Sequence, residues 1–220
     1  MTTVLHLSPH PDDEILGAGA TLMGLRAHGH RVINLACSLG RPDQQERRRA
    51  EVTEACERAG FELIVHDPPL AISLHDDAFA ARKLLAATVE RIVADERVDL
   101  IVSPDRDDAH HGHKTVAAVA RTAGVRWWTW GLWRDLARPT IYVPFGERRL
   151  SELQHALAAH RGEIVRNDFS ELLRARAIAS RVLGAERVFG FGSGRASEEP
   201  YAELLADDGE GRMLDLEHPL

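Results

Sequence analysis

Two cysteines, Cys37 and Cys56, are all that this 220-residue chain contains, which excludes a disulfide framework and any paired-cysteine metal motif. Cys37 falls in an apolar strand-like run, and Cys56 shares a helix face with Val52 and Ala59, so both read as buried thiols. No apolar stretch reaches the ~20 residues of a membrane-spanning helix, and the N-terminus has neither the basic nor the apolar region of a signal peptide. These absences lead us to expect a cytoplasmic protein with no membrane partner. A basic stripe is also missing, so nucleic acid is not an expected partner. Arg47-Arg48-Arg49 is flanked by Glu46 and Glu51 on a helix and reads as a solvated face, with Arg48 as the exception taken up below. The net charge of −7 is local: Ser193 to Leu220 holds eight acids and two bases, which leaves the rest nearly neutral.

A hydrophobic content of 44% suffices for a substantial core, and the length suggests one domain. Apolar strand-like runs at 4–7, 31–38, 62–66, 98–102, 126–130 and 140–145 alternate with amphipathic segments near 14–28, 43–59, 78–95 and 113–123. This alternation predicts an α/β, Rossmann-like fold: a mainly parallel sheet with helices on both faces and the active site at the carboxyl ends of the strands. Two more helices are expected near 148–161 and 169–183, and a short edge strand at Arg187–Phe191. The domain is expected to span 1–205. The acidic tail, 206–220, reads as disordered.

Two clusters stand at matching places in this pattern. Ser8-Pro9-His10-Pro11-Asp12-Asp13-Glu14 follows the first strand run and leads into a helical pattern. Ser103-Pro104-Asp105-Arg106-Asp107-Asp108-Ala109-His110-His111-Gly112-His113 follows the fourth and does the same. Acids at a helix start are equally explained as capping residues, and a histidine-rich surface loop is the bland account of the second cluster. If the two strands are parallel neighbours, His10, Asp13 and His113 supply two nitrogens and a carboxylate. That is the ligand set of a catalytic zinc with an open position.

At these residues the chain resembles the PIG-L/LmbE-like zinc-dependent N-acetylglucosaminyl deacetylases. Their first motif, Ala-His-Pro-Asp-Asp-Glu, appears as Ser-Pro-His-Pro-Asp-Asp-Glu, and their second, His-Pro-Asp-His, as His110-His111-Gly112-His113. Arg48-x-x-Glu51 is similar to the family's arginine-bearing helix, Ala159-His160-Arg161-Gly162-Glu163 to its Ala-His-Arg-Ser-Gln, and Pro200-Tyr201-Ala202-Glu203 to its late Tyr-Ala-Glu. The resemblance implies one Zn²⁺ per chain on His10, Asp13 and His113, with Asp12 as general base and His110 as an oxyanion-stabilising imidazolium. It also implies an amino-sugar-containing small molecule as partner, with Arg48 at the substrate. An oligomer is left open. Gly112 replaces the family's aspartate, a charge that Asp107 or Asp108 could restore; His111 replaces its proline and is assigned no role. Glu14 is expected to cap the helix or orient a ligand.

Aromatic residues are scarce, at 5%, yet all four tryptophans fall within Arg126–Trp133. Core packing accounts for any one of them; four together suggest that some line a substrate groove, and Trp130 and Trp133 are the expected pair. The variant second motif with this cluster behind it is similar to deacetylases of N-acetylglucosamine-bearing natural products, glycopeptide-antibiotic pseudoaglycones included. Small thiol-sugar precursors, aminoglycoside intermediates and a non-catalytic metal-binding partner protein are the alternatives.

Overall fold

A computed structural model describes residues 1–217. Its centre is a five-stranded, wholly parallel sheet in the order β3-β2-β1-β4-β5, from β1 (Thr3–Ser8), β2 (Arg31–Ala36), β3 (Glu62–Val65), β4 (Leu100–Pro104) and β5 (Arg126–Trp130). The interior strands β1 and β4 are buried throughout, as the near-continuous apolar runs of a doubly covered sheet require. Side chains alternate between two cores. Val4 joins the one under α1 (Asp13–Leu16), α2 (Gly19–Ala27) and α3 (Gln45–Ala59), whereas Leu5 and Leu7 join the one under α4 (Ala78–Glu96) and α5 (His111–Ala120). The chain runs β1 to β2 to β3 on one side and returns to β4 on the other. The switch point therefore falls between β1 and β4, where α/β sheets bind ligands.

The structure corrects four expectations. The helix foreseen at 14–28 breaks into α1 and α2 at Ala18, which leaves helical dihedrals at φ −142°, ψ 29°. Beside it Gly17 leaves room for the Trp130 indole, whose ring comes within 2.5 Å of where a Cβ would stand. The run at 140–145 forms β6 (Ile141–Phe145) but leaves the parallel sheet, since only ten residues without a helix separate it from β5 and a parallel crossover needs more. Instead it pairs antiparallel with β7 (Tyr201–Leu205) and parallel with β8 (Arg212–Met213). Arg187–Phe189 is no edge strand; it ends the long helix α8 (Phe169–Phe189), which Gly190 terminates at φ 99°.

The acidic tail is ordered through residue 217. Ala206 exchanges both backbone hydrogen bonds with Thr129 of β5, joining the two sheets. Asp207 accepts from Thr140 Oγ1 and pairs with Arg212, and Leu216 is buried against Gly24. These contacts outweigh the charge that suggested disorder; 218–220 lie outside the described residues. Two further helices, α6 (Glu147–Leu157) and α7 (Arg161–Arg166), cover the side of the sheet that carries α1 to α3. Among the described residues no helix is long and apolar enough to cross a membrane.

Candidate active site

Register pairing of β1 with β4 sets His6 opposite Val102, so the two histidine clusters leave adjacent strand ends. Past β1, Pro9 and Pro11 forbid an immediate helix, and the loop folds on itself. Ser8 Oγ donates to the His10 carbonyl at 2.6 Å, and the His10 N–H donates to Asp13 Oδ2 at 2.9 Å. That same oxygen lies 3.3 Å from His10 Nδ1 and 3.4 Å from His113 Nε2. Ligands bound tetrahedrally at about 2.0–2.1 Å stand about 3.3–3.4 Å apart, so the spacing suits zinc.

His113 is fully buried, and among the described residues neither of its ring nitrogens has a hydrogen-bond partner. Leaving buried polar atoms unmet costs about 1–3 kcal/mol each, and a cation between His113 and Asp13 would remove that cost for Nε2. Asp108 Oδ2 lies 3.5 Å from the other nitrogen, Nδ1. Burial works to lower the His113 pKa, but the Asp13 and Asp108 carboxylates outweigh it and lift it to about 10. For Asp13, burial pushes upward, and the His113 and His10 rings bring it well below the usual carboxylate range. The pocket is built around positive charge, and a proton or a divalent cation meets that demand.

His110 caps α5: its Nδ1 accepts from the Gly112 N–H at 3.1 Å, so in the neutral ring the proton sits on Nε2. Burial and the neighbouring His10, His113 and His111 rings push its pKa down to about 4. The expected imidazolium is therefore replaced by a neutral N–H donor. At His110, Asp108 accepts from the backbone N–H rather than from the ring. His10, His110 and His113 also bring one nitrogen each within 4.8 Å of one another, a second ligand set that overlaps the first.

Asp12 adopts φ 110°, a left-handed conformation that costs a non-glycine residue about 1–3 kcal/mol. Burial, with the Asp13 and Glu14 charges, raises its pKa well above the ordinary carboxylate value, against the pull of Arg48. Both Asp12 and Asp13 line a cleft of about 750 Å³ together with His10, His110, Arg48 and Trp133.

The two groove tryptophans part company. Trp133 is 51% exposed at the cleft, 6.4 Å from the His110 ring. Trp130 has no exposure and does not line it. Its Nε1 donates to His6 Nε2, and its ring packs edge-on against His113 at 5.3 Å. Arg48 reaches the cleft but is committed to protein partners, the Pro11 carbonyl and Glu163. Sequence reasoning gave no role to His160, whose Nε2 meets Glu14 Oε1 at 2.5 Å. It assigned none to Asp108 beyond a spare charge. The only hint of His160 was its place inside a resembling stretch.

Fold and site together define a Rossmann-like α/β protein with a His/Asp cradle of metal-ligand spacing at the switch point of its sheet. Residues 5–124 match the family model of the PIG-L, GlcNAc-PI de-N-acetylases. The chain belongs to that family. No curated protein matches it in sequence. Among solved structures it is similar to GalB, the 4-carboxy-2-hydroxymuconate hydratase of Pseudomonas putida KT2440, at 16% identity over 96% of this chain and 98% of that one, with TM-score 0.72. It is similar to the pseudoaglycone deacetylase Dbv21 at 18% identity over 94% and 96%, TM-score 0.71. The N,N'-diacetylchitobiose deacetylase of Pyrococcus horikoshii matches at 17% identity over 93% and 83%, TM-score 0.68. At these identities the likeness is one of fold.

Proposed function

We propose that this chain is a zinc-dependent hydrolase that removes an N-acetyl group from an amino sugar. The observation that carries the reading is the position of Asp13 Oδ2 at 3.3 and 3.4 Å from two histidine nitrogens, one of them buried and unpartnered. His10, Asp13 and His113 would hold one zinc. When bound there, the ion supplies an activated water near neutral pH and polarises the acyl carbonyl. Asp12, held above the usual carboxylate range, takes the proton from the attacking water and returns it to the departing amine nitrogen. Neutral His110 donates Nε2–H to the acyl oxygen as charge develops on it.

The cleft's volume falls within the range for drug-sized ligands, and Trp133 offers its ring at the rim. Both features, with the fold likeness to Dbv21, favour an N-acetylglucosamine-bearing natural product such as a glycopeptide pseudoaglycone over a thiol-sugar or aminoglycoside precursor. The test is acetate release from N-acetylglucosamine, N,N'-diacetylchitobiose and an N-acetylglucosaminyl pseudoaglycone, with zinc content measured in parallel. His113→Ala and Asp13→Ala should lose metal and activity together. Asp12→Ala should keep the metal and lose about 10²–10⁴-fold in turnover. Hydration of an unsaturated tricarboxylic acid such as 4-carboxy-2-hydroxymuconate, with no acetate released from any amide, would overturn the reading in favour of chemistry like GalB's. Zinc binding without turnover on any substrate would leave a metal-binding partner protein.

A further inference from the structure

The strained backbone of Asp12 is gripped at a single peptide unit, Pro11–Asp12. Its carbonyl oxygen accepts from Arg48 Nη2 at 3.3 Å, and its N–H donates to Glu14 Oε2 at 3.0 Å. Each gripping side chain is paired in turn with a residue from one short stretch at the start of α7. His160 Nε2 lies 2.5 Å from Glu14 Oε1, and Glu163 Oε1 lies 3.4 Å from Arg48 Nε. All four side chains are buried. Among the described residues no other acceptor meets the Asp12 N–H. Ser8 Oγ lies 3.5 Å from the same Glu14 oxygen and His160 holds the other, so turning the Glu14 carboxylate away from His160 would release the Asp12 N–H.

We propose that His160 and Glu163 are positioning residues that clamp the Pro11–Asp12 peptide through Glu14 and Arg48. The clamp fixes the direction in which the Asp12 carboxyl leaves its left-handed backbone. The catalytic consequence rests on Asp12 acting as the base of the proposed deacetylase, whereas the clamp itself does not. His160, 146 positions along the chain from Glu14, and Glu163, paired with Arg48, thus act on one peptide unit.

Asp12 amide hydrogen exchange, followed by NMR in metal-free protein, reads the clamp without substrate. In His160→Ala the Asp12 amide should exchange at least about tenfold faster, while β1 amides keep their protection. His160→Gln retains a donor to Glu14 and should restore protection; it also serves if the alanine variant folds poorly. In zinc-loaded protein, His160→Ala should lower kcat by about 10–100-fold, the range for a misplaced catalytic group, with KM within about twofold. Placed in an Asp12→Ala background, the same change should alter residual turnover less than about twofold, because its only route to the chemistry has been removed. An unchanged Asp12 amide in a folded His160→Ala protein overturns the clamp. So does an equal loss of turnover with and without Asp12. If the amide is released as expected but wild-type protein frees no acetate from any substrate, the clamp stands and the deacetylase reading falls.

Discussion

Replacing Gly112 by alanine should weaken zinc binding while leaving the metal-free fold as stable or more so. Gly112 is the second residue of α5, and a Cβ built on it stands 3.0 Å from His10 Cε1 and 3.1 Å from both His10 Nε2 and His110 Nδ1. Carbon contacts settle at about 3.5–4.0 Å, so the His10 ring must retreat by roughly half an ångström. Metal–ligand distances tolerate only about 0.2 Å. Disturbing the support of a ligand typically costs about 10–100-fold in metal affinity, or about 1.4–2.8 kcal/mol. Helix propensity acts in the opposite direction, because alanine is favoured over glycine by up to about 1 kcal/mol within a helix. Competition with a chromophoric chelator gives the zinc Kd, and thermal unfolding of the metal-free protein gives the second quantity. A Gly112→Ala protein with unchanged zinc affinity would refute the reasoning, because the ring would then not be held where the contact places it. An aspartate at 112 would meet the same crowding, since its Cβ stands as near the His10 ring as the His110 ring.

Three further outcomes separate assignments within the site. His110→Ala should retain zinc and lose about 10²–10³-fold in kcat, as for other oxyanion donors; loss of zinc, read by metal analysis, would mark a three-histidine site instead. Trp130→Ala should cost about 3–5 kcal/mol of folding stability in a denaturant titration, whereas Trp133→Ala should leave stability within about 0.5 kcal/mol and raise KM for a bulky glycoside more than for N-acetylglucosamine. Asp207 tests the ordered tail. Against the upward push of burial, Arg212 and the Thr140 hydroxyl hold its pKa down from 3.8 to about 2. Its contribution is therefore complete above about pH 4 and lost as pH falls toward 2. Asp207→Asn should cost roughly 1 kcal/mol at pH 7 once solvent screening is allowed for, and the gap from wild type should close over that window.

The parallel sheet was legible because β1, β2 and β4 are covered on both faces and carry near-continuous apolar runs, interrupted by His6 in β1 and Asn34 in β2, and because each is followed by a helical period. The cradle was legible for the same reason: a strand end fixes where the next few residues go, so matched clusters on strands that proved neighbours had to meet. The second sheet was not. β7 reads Tyr-Ala-Glu-Leu-Leu, with Glu203 turned to accept from Ala20 and Thr21 at the start of α2, and that inward carboxylate breaks the strand pattern. β8 is two residues long and owes its place to β6. Trp130 and Trp133 look alike in sequence. Only the end of β5 separates them, leaving one in the core beside His6 and the other on the loop beyond. Asp108 and His160 were hidden because their partners are spatial: Asp108 meets the Leu132 and Trp133 amides, and His160 meets Glu14 from far along the chain.

The interlocking of the two halves has a consequence for inheritance and for engineering. Every side chain of the cradle lies between His10 and His113, so a chain cut after α5 would carry all the ligand atoms. It would also leave Glu14 without its His160 hydrogen-bond partner and Arg48 without the Glu163 carboxylate, and would open the core that α6 and Leu153 close over Gly19. A graft of the first half onto a foreign second half should succeed only where the donor supplies an imidazole and a carboxylate at the same two depths. The cradle segment and its distant partners must therefore be transmitted together, and recombination between them selects against itself.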